Sequence, residues 1–232
     1  MKDESLPCEA TIGASESFSI LFVGAAQQMA VATVLAKPGT PNYTLVSKLC
    51  LGIVEQLNLF MSSIRSKGAH LMSRIDDVLF TLVAFQISVQ TALSNYFLAR
   101  NYWESSDYGI ALAFLKESIN GMKTRSSSAS KGLPPLKSTP LHVLQNDVDA
   151  FKNHLSTIMK NWERDNSLVY FEAVPKIIPE AKRLAKGIVM IKLEEYHLAD
   201  VDPFPLGVKM LDISSDERMA RILQEQLNLG RE

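Results

Sequence analysis

The sequence has little cysteine and no excess of charge of one sign. Of its 232 residues, 2 are cysteine, and 24 basic side chains nearly balance 25 acidic ones. Because Cys8 and Cys50 are far apart and form no CxxC pair, a disulfide framework is excluded and a reducing compartment is favoured. A nucleic-acid-binding surface needs a clustered basic excess, so the near-neutral charge argues against nucleic acid as a partner.

The segments typical of exported or membrane proteins are also scarce. The first seven residues, MKDESLP, lack the charged-then-apolar order of a signal peptide. The longest apolar stretch, residues 18–36, is interrupted by Gln27, Gln28 and Thr33, so we expect it to fall short of the ~20 apolar residues of a membrane span. With 47% hydrophobic residues, the composition excludes intrinsic disorder and predicts a cytoplasmic globular chain.

Motifs for catalysis and metal binding are missing. The sequence contains no GxSxG, no HExxH and no Gly-rich phosphate loop. Its four histidines stand in different segments, each without a second ligand at metal-site spacing. We interpret Cys50, which lies within an apolar stripe, as a core residue. The sequence therefore predicts no enzymatic activity, no cofactor and no metal, and an unrecognised helical enzyme is the least favoured hypothesis.

Apolar residues recur every three or four positions through most of the chain, which predicts an all-α protein of antiparallel helical hairpins. We expect caps at Ser15 or Ser17, at Asn42, at the Asp76–Asp77 pair and at Thr139, and a helix end at Gly68. The first stripe consists of Phe18, Phe22, Ala25, Met29, Ala32 and Ala36. Flanking apolar residues such as Val31, Leu45 and Leu51 either pack within the chain or offer a partner surface.

The pattern divides the chain into a tail over 1–14, a helical domain over 15–211 and a helix over 212–232. Residues 124–139, rich in Ser, Lys, Gly and Pro, are predicted to form a mobile surface loop. Four prolines within 168–211 predict an extended segment that lies across the domain. Its expected apolar anchors are Val169, Tyr170, Phe171, Val174, Ile188, Met190, Phe204 and Leu206.

One ordered set of motifs resembles a known family. Residues 165–175 (DNSLVYFEAVP) and the segment that follows them are similar to the closing motif and tail of the Bro-one (BRO-type, Alix-like) domain family. Residues 26–28 (AQQ), 45–49 (LVSKL) and 108–111 (YGIA) resemble its upstream helices in order and spacing. The resemblance covers roughly residues 15–206, which corresponds to about the second half of a full domain, in the manner of plant and protist members.

The resemblance implies an adaptor of the endosomal sorting (ESCRT) pathway with a TPR-like helical core. Family members bind the amphipathic C-terminal helix of an ESCRT-III subunit in an exposed apolar patch and act at endosomal membranes. By position, the patch corresponds to Val31, Leu45 and Leu49, with Val31 in place of a bulky aromatic residue. The implied location is cytoplasmic with recruitment to endosomes, and peripheral membrane association is a further expectation.

A second hypothesis treats the chain as a truncated helical protein without a partner site. Helices that are built to pack on an absent half would expose apolar surface, and the chain would then self-associate. Binding of ESCRT-III tail peptides distinguishes the first hypothesis, and the state of association in solution distinguishes the second.

Overall fold

The computed structural model describes residues 7, 11–67, 69–126, 131–137 and 139–194. The chain divides into two units, Met1–Leu193 and Glu194–Glu232, and apart from Glu194 the described residues belong to the first. The predicted helix over 212–232, with Phe204 and Leu206, therefore lies outside the described residues, as do Gly68 and most of the 1–14 tail.

The described chain is all-α, as predicted, and contains no strand; one isolated bridge joins Thr124 to Leu133. Among the described residues, three 3₁₀ turns and one π turn accompany the α-helices: Ala69–Arg74, Pro140–Leu144, Asn166–Tyr170 (the π turn) and Glu180–Lys182. The five α-helices are α1 (Ile12–Leu35), α2 (Tyr43–Lys67), α3 (Asp77–Glu104), α4 (Tyr108–Gly121) and α5 (Gln145–Asp165).

Consecutive helices are the principal packing partners: α1 with α2, α2 with α3, α3 with α4, and α4 with α5. Short links join α1 to α2 and α3 to α4, so each pair forms an antiparallel hairpin. Two apolar cores result, one shared by α1, α2 and α3 and the other by α3, α4 and α5. Helix α3 faces both cores, which is why its apolar residues extend beyond a single stripe.

The predicted caps are partly confirmed. Asn42 accepts from the Leu45 amide at 3.0 Å, Asp76 accepts from the Val78 amide at 2.8 Å, and Thr139 accepts from the Leu141 amide at 3.3 Å. The expected cap at Ser15 or Ser17 is wrong, because α1 begins after Thr11 and the Ser17 hydroxyl donates to the Gly13 carbonyl.

The apolar stripe of α1 forms one helix face, as predicted, but from Phe22 onward this face points to solvent, whereas the half-buried Phe18 packs on Phe60 of α2. The exposed fraction of Phe22 is 67% and that of Met29 is 71%. The opposite face packs on α2 and consists mainly of small or polar side chains: Ala14, Ser17, Val23, Gly24, Gln27 and Val31. Small residues allow two helices to approach closely, and hydrogen bonds satisfy the polar ones, such as Ser17 to Ser63 at 2.9 Å.

Three helices, α1, α2 and α3, are long and apolar enough to cross a membrane by length and composition. The expectation that residues 18–36 fall short of that criterion is therefore wrong. Within the described protein, α2 and α3 each bury a larger share of their most apolar stretch than α1 does. Of the three, α1 is thus the helix whose apolar surface is covered least.

The segment predicted as a mobile loop, 124–139, is anchored in its described part. Leu133 and Leu136 are buried in the core of α3, α4 and α5. The Arg125 amide donates to the Leu133 carbonyl at 2.8 Å, and the Ser88 hydroxyl of α3 donates to the Gly132 carbonyl at 2.7 Å. Composition did not indicate this anchoring, because two isolated leucines show no period.

Candidate partner-docking surface

An extended segment, residues 187–190, crosses the hairpin of α1 and α2, and we call it the crossing segment. The Ile188 amide donates to the Lys48 carbonyl at 2.9 Å, and the Gly187 amide donates to the Glu55 carboxylate at 2.8 Å. Both acceptors belong to α2. The crossing segment is therefore bound to this helix through backbone amides, which fixes its path independently of its own side chains.

Gln27 of α1 holds the other side of the crossing segment. Its side-chain amide donates to the Ile188 carbonyl at 2.6 Å and to the Leu49 carbonyl at 3.0 Å. Its side-chain oxygen accepts from the Met190 amide at 2.8 Å. Because the Gln27 side chain is fully buried, these bonds also satisfy a polar group that would otherwise be costly to bury.

Two glycines make this close approach of helix and segment possible. A Cβ at Gly52 of α2 would overlap the Ile188 carbonyl, and a Cβ at Gly187 would overlap the backbone of Gly52. Only hydrogen atoms fit between the two backbones here. This requirement is why an isolated glycine interrupts the apolar helix α2.

The structure separates the three residues predicted to form the patch. Leu45 is 37% exposed near the start of α2. Val31 and Leu49, at 6% and 0% exposure, belong to the core shared by α1, α2 and α3. Of the three, Leu45 is thus the residue that reaches solvent, and the other two lie beneath the surface.

The crossing segment carries exposed apolar side chains of its own. Ile188 is 37% exposed and Met190 is 56% exposed. Since the Ile188 amide binds the carbonyl of Lys48, three residues after Leu45, Ile188 lies within ~10 Å of Leu45 along the axis of α2. We call Leu45, Ile188 and Met190 the composite patch. The sequence signal for it was the apolar run of residues 188–191 (IVMI) directly after Gly187.

A second exposed apolar surface follows α5, where the extended segment was predicted to be anchored. The exposed side chains there are Leu168, Val169, Phe171, Val174 and Ile177. The prediction that Val169, Phe171 and Val174 anchor this segment is therefore wrong, as it is for Met190, which is 56% exposed. Ile178, at 3% exposure, is the anchor, and it joins the core of α3, α4 and α5.

Asn166 sets the geometry of this second surface. Its side chain donates to the Glu172 carbonyl at 2.9 Å and accepts from the Glu172 amide at 3.1 Å. Its carbonyl accepts from the Phe171 amide at 2.7 Å, which holds Phe171 in the left-handed region at φ 55°. A non-glycine residue keeps such a conformation only where its surroundings enforce it. Phe171 is consequently held outward, 74% exposed.

Aromatic rings connect this turn to the helices beneath it. Trp162 of α5 stacks on Trp103 of α3 with ring centroids 4.2 Å apart and an interplanar angle of 7°. Tyr170 stacks on Tyr108 of α4 at 3.6 Å. The Arg100 guanidinium lies 6.0 Å from the Trp162 ring, within the range of a cation–π interaction. This cluster joins α3, α4 and α5 at one end of the bundle.

No group of three or more His, Cys, Asp and Glu side chains in the described ranges could hold a metal ion. A cleft of about 560 Å³ contains an ion pair, in which Arg183 donates to both Glu117 oxygens at 2.6 and 3.0 Å. A bidentate pair of this kind satisfies both groups and ties residue 183 to α4.

Cys50 is fully buried in α2, and burial raises the pKa of its thiol to about 12. The thiol therefore stays protonated between pH 7 and 9, where only a thiolate would react. In a Cys8→Ser variant we expect no reaction with Ellman's reagent at pH 8 until urea unfolds the chain. Rapid modification of the folded variant at the same pH would contradict this assignment.

Comparison with known families agrees with this architecture. The family model for the BRO1-like domain matches residues 9–207. The chain belongs to the BRO1-like domain family. A solved chain described as "Structure basis for endosomal targeting by the Bro1 domain" has a similar fold, with a TM-score of 0.63 and 21% sequence identity. That match covers 82% of this chain and 50% of the solved chain, so this chain spans about half the length of that relative. No curated protein matches the sequence.

Within the BRO1-like match lie the composite patch, the exposed apolar surface after α5, the crossing segment and the five described α-helices. The resemblance seen in the sequence motifs is thereby confirmed at the level of family and fold. The Asn166 clamp and the Gln27 contacts coincide with two of the motifs that carried it, residues 165–175 and 26–28. In both cases a buried amide side chain fixes the path of an extended backbone.

Proposed function

We propose that this BRO1-like chain is a non-enzymatic adaptor of the endosomal sorting pathway. In this proposal it binds the amphipathic C-terminal helix of an ESCRT-III subunit and is recruited from the cytoplasm to endosomes. Membership of the BRO1-like family supports the proposal, as does the similar fold of a Bro1 domain described as acting in endosomal targeting. The composite patch is the observation that carries it, because it offers exposed apolar side chains on a fixed backbone.

The composite patch suits a helix better than an extended peptide. An extended peptide that adds to a sheet needs an open strand edge, and the described residues form no sheet. An amphipathic helix instead presents apolar residues three and four positions apart, which Leu45 and Ile188 could receive from two sides. Val31 and Leu49 take a supporting role in this arrangement, since they pack directly below the surface.

We expect the Leu45→Asp substitution to abolish binding of ESCRT-III C-terminal helix peptides. The new carboxylate would be buried against an apolar helix without a partner, and such a charge costs several kcal/mol. Binding should weaken at least a hundredfold, measured by isothermal titration calorimetry with a panel of such peptides. Because Leu45 is partly exposed, circular dichroism should remain helical.

Val143→Asp provides the matched control, since Val143 is 65% exposed on the turn before α5 and lies outside the patch. This variant should bind as the unmodified chain does. An unchanged dissociation constant for Leu45→Asp would remove the assigned site. If the unmodified chain bound no peptide of the panel, the adaptor proposal itself would fail and the structural alternative would stand.

A further inference from the structure

The outer face of α1 is apolar, and from Phe22 onward it is exposed. Between residues 17 and 36 the sequence has no charged side chain. Helix α1 packs mainly on α2, through the face that contains Gln27. The opposite face carries the predicted stripe, which we call the outer stripe: Phe18, Phe22, Ala25, Met29, Ala32 and Ala36. Surfaces of this kind usually mark an interaction site.

The outer stripe has a seven-residue spacing, and its bulky residues lie mainly in the first half of the helix. Phe22, Met29 and Ala36 repeat at intervals of seven, as do Phe18, Ala25 and Ala32. These two series correspond to the a and d positions of a coiled coil. Three of the six residues are bulky and three are alanine.

Two copies of the outer stripe fit each other when they run antiparallel. The twofold axis that relates them then stands at the level of Gln27 along the helix. Phe22 then faces Ala32 of the second copy, and Met29 faces Ala25. Phe18 faces Ala36 in the same register. Every layer combines one bulky side chain with one alanine, which fills the space between two helices without overlap.

The surroundings of the stripe combine an apolar cleft with charged groups near the first turns of α1. The cleft, of about 790 Å³, lies beside the first half of α1 and is lined by Phe22 and Leu79 together with Arg74 and Asp76, among others. Glu16 is the nearest acidic group along α1, and Lys67 neutralises it at 2.6 Å. The symmetric pair therefore brings no unpaired charge of α1 into contact.

We propose that the outer stripe of α1 is a homodimer interface that a second copy of this chain occupies in antiparallel orientation. A helix that rests on a lipid surface usually carries basic residues on its polar side, and residues 17–36 have none, which favours a protein partner. The contact is one helix wide on each copy, so the dimer is reversible and depends on concentration.

Sedimentation-velocity centrifugation of the purified 232-residue chain tests the proposal. We expect a monomer–dimer equilibrium, and we expect Met29→Glu to shift it to monomer, since two carboxylates would enter one interface. Met29 is exposed, so helicity and thermal stability should not change. Leu59→Glu is the matched control, because Leu59 is 50% exposed on α2 and should leave the dimer intact. Leu45→Asp should likewise still dimerise, which separates this interface from the composite patch.

Disulfide trapping tests the register. In a Cys8→Ser background, a mixture of Ala25→Cys and Met29→Cys chains should form a mixed disulfide under mild oxidation, and neither variant alone should cross-link efficiently.

Three results would overturn the proposal. The first is a chain that is still monomeric at about 100 μM, a concentration at which a dimer with a micromolar dissociation constant is populated. The second is a dimer that Met29→Glu leaves unchanged. The third is a monomer that floats with neutral phosphatidylcholine vesicles only when Met29 is intact, which would favour a lipid surface instead.

Discussion

Replacement of Gly52 by alanine is expected to detach the crossing segment from α1 and α2. The new Cβ would overlap the Ile188 carbonyl oxygen, which is backbone and can move only with the whole segment. Gln27 would then lose its bonds to Ile188 and Met190 while staying buried. We expect a loss of about 2–4 kcal/mol in the free energy of unfolding, from lost hydrogen bonds and an unsatisfied amide, less the gain in helix propensity.

Urea denaturation followed by circular dichroism measures this loss. Limited trypsin digestion should also cleave Gly52→Ala faster after Lys186 and Lys192, which flank the crossing segment. Gly24→Ala is the matched control, because its Cβ would meet Leu57 at an ordinary 3.5 Å. That variant should be as stable as the unmodified chain or more so. Equal stability of the two variants would show that the approach of the crossing segment to Gly52 contributes little.

The same substitution has a consequence for binding. Two of the three residues of the composite patch, Ile188 and Met190, belong to the crossing segment. If the segment leaves the hairpin, Leu45 remains alone, and peptide affinity should fall although Leu45 itself is unchanged. A Gly52→Ala chain that is destabilised but binds normally would restrict the partner site to Leu45 and its neighbours on α2.

Replacement of Trp162 by alanine is expected to be the most destabilising single change in the second core. Trp162 is 6% exposed, stacks on Trp103 and lies near Arg100. Removal of a buried tryptophan leaves a large cavity and costs about 3–5 kcal/mol. Because α5 packs on the bundle through few buried residues, Val148, Leu155 and Trp162, we expect α5 to separate first.

Far-ultraviolet circular dichroism in urea measures this effect without relying on the fluorescence of the remaining tryptophan. Trp162→Phe keeps a ring against Trp103 and should lose less than half as much stability. His154→Ala, an exposed change on the same helix, should cost under about 1 kcal/mol. A cost for Trp162→Ala no larger than that for His154→Ala would show that the ring stack does not join α5 to α3.

Local patterns in the sequence predicted the helices and several of their ends correctly. Contacts within one helical turn determine the periods of α2 and α5, the caps at Asn42 and Asp76, and the helix start at Thr139 and Pro140. Such features depend on neighbours in the sequence, so no tertiary information is needed. Cys50 is a similar case, because its place in an apolar stripe already indicated burial.

The orientation of α1 could not be predicted in this way. Both of its faces are free of charge beyond Glu16, so periodicity identified a stripe but not the side on which α2 packs. The bulkier face is exposed because α2 and the crossing segment require small residues and the amide of Gln27 on the other side. Part of this requirement comes from the crossing segment, whose Ile188 is 161 positions from Gln27 in the sequence.

The sequence by itself determined the all-α class, the hairpin order and the motifs of the BRO1-like family, because helix periods and caps are local properties. Only the tertiary structure decided which apolar residues reach a partner. Leu45 is exposed whereas Val31 and Leu49 are covered, and Ile188 and Met190 join Leu45 through backbone bonds across the hairpin. The exposure of a side chain depends on all the elements that pack around it, and here the crossing segment and its contact with Gly52 set that exposure.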